Sequence, residues 1–236
     1  MLMRLQDAQT RRRIRSEMAT EHVDWENLYL QSGGAKGVLV SGIENPDLKK
    51  YDGMTLAKIA ALQQKDPVDA LIDLVIADKA ETGALYFIAS EADLKYGLKQ
   101  PWTSLCLGAG ELSLDGPLYE PHSHPRAFGA MPRFLGHYVR DEHLLPFEQA
   151  VRKMTSLPAG REHLTNRGLL KPGYFADITV FDPTTIIDHA TYEKPTQLSE
   201  GVKYVFVNGQ LEYENGKLTG LQAGKPLRGP GWINRN

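Results

Sequence analysis

Residues 37–42 read G-V-L-V-S-G, a short run of β-branched and apolar residues closed by Ser41 and Gly42. Such a run, with no polar alternation, is the pattern of a strand buried on both faces that hands over to a loop, as in a parallel sheet. Working outward, two further runs share it: A-L-Y-F-I-A-S at 84–90 and W-T-S-L-C-L-G at 102–108. Between the first two lie helical patterns, M-T-L-A-K-I-A-A-L-Q-Q and P-V-D-A-L-I-D-L-V-I-A-D. The second opens on Pro67, whose fixed φ and missing N–H suit a first helical turn. Ser90 with Asp93 reads as a near capping box for a helix through Leu98. The alternation predicts βα units, with three parallel strands near 38–41, 84–89 and 103–107 side by side and helices outside them.

Downstream, R-A-F-G-A-M-P-R-F-L-G-H-Y-V-R-D contains Pro132 and two glycines and reads as a broken helix, whereas P-F-E-Q-A-V-R-K-M-T is cleaner, with Phe147, Val151 and Met154 in register. From about residue 169 the text becomes strands divided by Pro-Gly, Asp-Pro and Asn-Gly turns. Asn208-Gly209 and Asn215-Gly216 are the strongest hairpin signals in the chain. Upstream, Leu5, Ile14 and Met18 mark one face of an amphipathic helix, and the run Arg11-Arg12-Arg13-Ile14-Arg15 reads as its solvated face.

The chain has 236 residues, 42% hydrophobic and 24% charged, enough to bury a core. A net charge of −2 gives no electrostatic footprint for nucleic acid. The single cysteine, Cys106, excludes a disulfide framework and a CxxC metal site, and no apolar run approaches a membrane span. A soluble, cytoplasmic protein is the expectation, with neither nucleic acid nor membrane as partner.

The segments D-W-E-N-L-Y (24–29), S-E-A-D-L-K-Y-G-L-K-Q-P-W (90–102), H-P-R-A-F-G (124–129), F-L-G-H-Y-V-R (134–140), R-K-M-T-S-L-P-A (152–159), R-G-L-L-K-P-G-Y-F-A-D-I-T-V-F-D-P (167–183) and G-V-K-Y-V-F-V-N-G (201–209) carry a resemblance. In order, and over nearly the whole chain, they are similar to the C-terminal part of N-acyl-D-amino-acid deacylases, the D-aminoacylases of the amidohydrolase superfamily. Because D-W-E-N-L-Y belongs to that text, the likeness of E-N-L-Y-L-Q-S to the engineered protease site ENLYFQS is coincidence, and residues 1–32 are read as native. The resemblance implies an α/β protein: the last part of a TIM-type (β/α)8 barrel in residues 1–168, then C-terminal strands of a small β-sandwich in 169–236. A complete barrel takes about 250 residues, so the chain is expected to be a partial, catalytically incomplete piece. The alternative is a non-catalytic subunit or degenerate binding module that complements a separate N-terminal half. Association through the open barrel edge is a further expectation.

The resemblance also implies zinc-dependent cleavage of a small N-acyl amino acid in intact members, whose metal ligands precede the text present here. No zinc is predicted for this chain alone. His122 and His124 have an H-x-H spacing, but they follow G-P-L-Y-E-P and precede Pro125, a loop without the rigid support a ligand pair needs, and are rejected as ligands. Within H-P-R, His124 and Arg126 are the substrate-binding candidates, since a planar guanidinium can clamp a carboxylate by two parallel hydrogen bonds; the alternative for Arg126 is a structural arginine. In the family, Q-P-W leads to a turn whose aspartate is the general acid/base; aligned on Q-P-W and H-P-R, this chain has Gly108 there. Glu111 and Asp115 read as solvated loop acids, Asp177 and Asp182 as turn and capping residues, and His137, His143, His163 and His189 as structural.

Overall fold

The computed structural model describes residues 1–21, 24–110, 112–119, 123–229 and 231, which fall into two compact units. The first comprises residues 1–90, 111–124 and 191–196; the second, 91–110, 125–190 and 197–236.

In the first unit, helix α1 (Ala8–Met18) starts where the Asp7 carboxylate accepts from Thr10 N at 2.7 Å. A short helix α2 (Leu28–Gln31) follows, capped by Asn27. Strand β1 (Val38–Ser41), helices α3 (Leu56–Gln63) and α4 (Pro67–Ala77) and strand β2 (Gly83–Tyr86) complete it. Thr55 and Asp66 cap α3 and α4, and Pro67 takes the first-turn position its ring favours. Val40, Ile43, Ile59 and Leu74 form the core, with Leu48, Tyr51 and Met54 packed on it.

The expected parallel sheet is not what forms. β1 and β2 pair antiparallel, with Val38 opposite Tyr86 and Ser41 opposite Gly83. The cause lies at Asp78, which is 3% exposed. Its carboxylate accepts from Glu44 N at 3.0 Å, Asn45 N at 2.6 Å and the Thr82 hydroxyl at 2.6 Å. One buried acid thus ties the loop leaving β1 to the loop entering β2, so β2 begins beside the end of β1 and runs back along it. The third run, 103–107, is not a strand; it belongs to the second unit and pairs in no ladder.

The arginine face of α1 is also not merely solvated. Arg11 reaches Asp73 at 2.6 Å, and Arg15 reaches Asp69 at 2.5 Å and Asp66 at 3.3 Å, docking α1 on α4. Burial raises the Asp73 carboxyl pKa, but hydrogen bonds from Lys65 and Arg11 outweigh it and hold the group below its ordinary value. Arg13, 75% exposed, answers to the solvated reading.

The second unit contains α5 (Glu91–Lys99), α6 (Arg126–Arg133), a π-helix (Phe134–Asp141), α7 (Phe147–Met154), α8 (Ser156–Arg161) and an antiparallel sheet. Its strands are β3 (Ile178–Phe181), β4 (Val202–Val207), β5 (Gln210–Glu214) and β6 (Lys217–Leu218), in that spatial order. Both Asn-Gly turns form as read, with φ of 49° and 79° at Asn208-Gly209 and 44° and 92° at Asn215-Gly216, the doubly positive turn that matches strand twist.

The break in the middle helix follows from Pro132. It has no N–H to offer the carbonyl of Phe128, four residues back. The Ser199 hydroxyl donates to that carbonyl instead, at 2.7 Å. Beyond the proline the helix widens, closing with Glu142 N bonded to His137 O five residues back at 3.1 Å. Phe134, Leu135, Tyr138, Val139, Ala150 and Ile186 form this unit's core, against which Leu98, Leu105, Phe147 and Met154 pack.

Asn27 tests whether the 24–32 stretch is integral. It is 5% exposed, accepts from Leu30 N at 3.1 Å and donates to Met18 O and Thr20 O, both at 3.0 Å, so it joins the end of α1 to the start of α2. Asn27→Ala is expected to lower stability by about 2 kcal/mol in urea unfolding, the sum of a lost cap and orphaned carbonyls. An unchanged midpoint would show the stretch to be an appendage.

Candidate functional site

The second unit brings Gly108 and Arg126 together. Arg126 is the first residue of α6, and a Cβ built on Gly108 would stand 3.6 Å from the Arg126 Cζ, 3.7 Å from Nη2 and 3.8 Å from Nε. Gly108 has φ +56°, in the left-handed region that glycine enters without cost and aspartate enters more readily than most residues. Helix α6 is held close: a Cβ on Gly129 would lie 2.5 Å from the Asp188 Cβ, and Arg133 is 3.5 Å from the Asp188 carboxylate. On the other side, Leu105 packs on the core and fixes the run that ends at Gly108.

The remaining candidates separate. His124, in the first unit, packs edge-on against Tyr192, with ring centres 5.3 Å apart and its Nε2 3.2 Å from the Tyr192 hydroxyl; Tyr192 in turn stands edge-on to Phe87 at 4.8 Å. His122 and Glu111 lie outside the described residues, and so does the geometry of the H-x-H pair. Asp115 is exposed and heads a single 3-10 turn. Asp177 and Asp182 are the turn and capping residues expected. Asp177 accepts from Asn208 N at 2.8 Å and pairs with Arg167, while Asp182 accepts from Thr184 N at 2.9 Å and its hydroxyl at 2.6 Å. Burial raises the Asp177 pKa, but its hydrogen bonds prevail, and the hydrogen bonds of Thr184 lower that of Asp182.

One cluster escaped the sequence. Glu91, His137 and Glu142 offer ligand atoms within 4.8 Å of one another. The Lys95 ammonium is already among them, 2.9 and 2.8 Å from the two Glu142 oxygens and 3.7 Å from Glu91, and His137 Nε2 is 3.3 Å from Glu142. The hydrogen bond to Glu142 raises the Lys95 pKa, and the same bond lowers that of Glu142. The acids thus have a cation of their own, and a metal would have to evict it. Only the Glu91–Lys95 pair, four apart on one helix, carried a readable signal. Among the described residues, then, the donors do not fit a hydrolytic zinc: Gly108 supplies no ligand atom, and the one three-donor cluster is filled by lysine.

Comparison with known proteins follows this geometry. Residues 111–213 match the model of an amidohydrolase family. The chain is 40% identical over 178 residues to a D-aminoacylase of Alcaligenes xylosoxydans xylosoxydans, covering 75% of this chain and 34% of that protein. An N-acyl-D-aspartate deacylase of the same organism is 38% identical, covering 67% and 30%. Among solved structures, an N-acyl-D-glutamate deacylase from Bordetella bronchiseptica, complexed with zinc and a phosphonate inhibitor that mimics the reaction's tetrahedral intermediate, aligns with a TM-score of 0.66 at 33% identity, over 80% of this chain and 37% of that one. The class the chain resembles is therefore that of the amidohydrolases. Within it, the similarity is to the D-aminoacylases, the N-acyl-D-amino-acid deacylases. It spans about a third of the length of the curated relatives it matches. No helix of the described residues is long and apolar enough to cross a membrane.

The lysine-filled cluster predicts a pH dependence. Because the Glu142 pKa is depressed in the folded state, its bond to Lys95 stabilises at neutral pH, and that contribution is lost as pH falls through the folded value, below the ordinary 4.5. Lys95→Met should therefore be less stable than the wild type near pH 7, with the difference shrinking at acid pH well below 4.5. Urea midpoints at neutral and acid pH check it; a gap that persists in acid would mean lost packing instead.

Proposed function

We propose that this chain carries the substrate-carboxylate side of an amidohydrolase that acts on N-acyl-D-amino acids. Residues 1–168 would correspond to the last part of the barrel and 169–236 to the strands of the β-sandwich. The observation that carries the reading is the approach of Gly108 to the Arg126 guanidinium, 3.6 Å from a Cβ built at 108 to Arg126 Cζ. In this reading the Arg126 fork clamps the carboxylate of the D-amino acid by paired charge-assisted hydrogen bonds. Such a clamp fixes one end of the substrate and so sets where the scissile amide lies.

Hydrolysis of that amide needs a base to take a proton from the attacking water and an acid to protonate the leaving nitrogen. At position 108 the family's text has an aspartate for both steps, and glycine can perform neither. Loss of a positioned acid/base costs about 10² to 10⁴-fold. The chain by itself is thus a binding surface without its proton-transfer group.

Two assays decide it. Calorimetric titration with N-acetyl-D-alanine should show binding that Arg126→Ala abolishes. Release of free D-amino acid from a panel of N-acetyl-D-amino acids with added zinc should stay at background for the unmodified chain and for Gly108→Asp, since one carboxylate does not create a metal site. Clear turnover by the unmodified chain would refute the reading.

A further inference from the structure

Lys153 is 2% exposed. Among the described residues its partners are all neutral: Nζ donates to Gln100 O, to Thr103 O at 3.1 Å and to the Thr103 hydroxyl at 2.9 Å. Two neighbours act on the same stretch. Arg152 Nη2 donates to Pro101 O at 2.5 Å, and Arg161 Nη2 donates to Trp102 O. Three cations from α7 and α8 therefore hold four successive carbonyls, 100 to 103.

These carbonyls lie just past the end of α5, where the helix dipole presents its negative pole and a cation is favoured. The Thr103 hydroxyl adds bonds to Gly97 O at 2.8 Å and Gln100 O at 3.0 Å. Ordinary helix ends are satisfied by water, a glycine turn or one exposed lysine. Burying an ammonium is costly unless it is well paired, and an apolar side chain of similar volume is often no less stable in such a place. Desolvation, with repulsion from Arg152 and Arg161, indeed pushes the Lys153 pKa down. What the arrangement supplies is placement. The gripped carbonyls immediately precede Leu105, which enters the core, and Gly108, which stands against Arg126.

We propose that Lys153, flanked by Arg152 and Arg161, is the positioning residue of the turn that carries position 108, and that it sets this position against Arg126. The inference rests on the reading of Gly108 and Arg126 as part of the substrate site. Lys153 touches neither residue, so it acts only through the backbone it holds.

The chain supplies its own reporter. Cys106 is the single cysteine, is exposed, and lies two residues before Gly108. A nitroxide attached there should give a restricted spectrum in the wild type. In Lys153→Met a mobile component should become the major one while circular dichroism stays unchanged; Lys153→Arg should restore most of the restricted signal. Lys95→Met, which removes a lysine elsewhere in the same unit, should leave the spectrum as it is. Binding of N-acetyl-D-alanine should weaken about tenfold in Lys153→Met, the size of one charge-assisted hydrogen bond misplaced, and recover in Lys153→Arg. A folded Lys153→Met with the wild-type spectrum would overturn the proposal. If that variant does not fold, Arg152→Ala and Arg161→Ala each release one carbonyl from the surface, and a mobile component in neither would overturn it equally. Absence of binding by the wild type would count against Arg126 as a substrate clamp, while the spectra alone still decide the positioning role.

Discussion

The second unit depends on a buried ammonium. Lys153 Nζ, bound by the carbonyls of Gln100 and Thr103, joins the end of α5 to α7, and the two flanking arginines extend the grip over the carbonyls between them. From that grip the run 103–107 has no freedom to seek a strand partner. Its Leu105 is drawn into the cluster around Phe134 and Leu135, and its end is delivered to Arg126 at the start of α6. Pro132 acts later on the same helix. It denies Phe128 O its helical donor, Ser199 replaces that donor, and the widened turns beyond bring His137 to Glu142.

Local chemistry was legible in the sequence where one residue type has one physical use. Pro67 opens a helix, Asn208-Gly209 and Asn215-Gly216 turn hairpins, Pro132 breaks a helix, and Asp177 and Asp182 hold turns. Strand direction was not legible. An apolar run such as G-V-L-V-S-G specifies burial on both faces, and that condition is met equally by an antiparallel partner. The direction is set by Asp78, a helix-terminal acid binding two loop amides more than thirty residues away, and nothing in the spacing of the runs announces it. The run 102–108 failed as a strand for a related reason. Its first two carbonyls, those of Trp102 and Thr103, are taken by Arg161 and Lys153 more than forty-five positions later, and carbonyls satisfied in that way have no need of a ladder.

The site divides along the same line. H-P-R and the glycine at 108 were visible because the resemblance named their positions, and the geometry then places Arg126 within reach of anything attached at 108. Beyond its Glu91–Lys95 pair, the network of Glu91, Lys95, His137 and Glu142 was invisible, since it needs the π-helix to form before its members meet. Nor did R-K-M-T announce a role beyond amphipathic helix. A buried lysine becomes informative only when its partners are known to be neutral carbonyls.

The account's central claim is that position 108 is held against the Arg126 guanidinium. A crystal structure of the Gly108→Asp chain tests it most directly. A Cβ at 108 has ordinary van der Waals room, and the left-handed backbone costs an aspartate about 1 kcal/mol. The account predicts the new carboxylate within about 4 Å of Arg126, the range of an ion pair, with the run 103–107 unmoved. A new carboxylate turned to solvent, with Arg126 elsewhere, would contradict it.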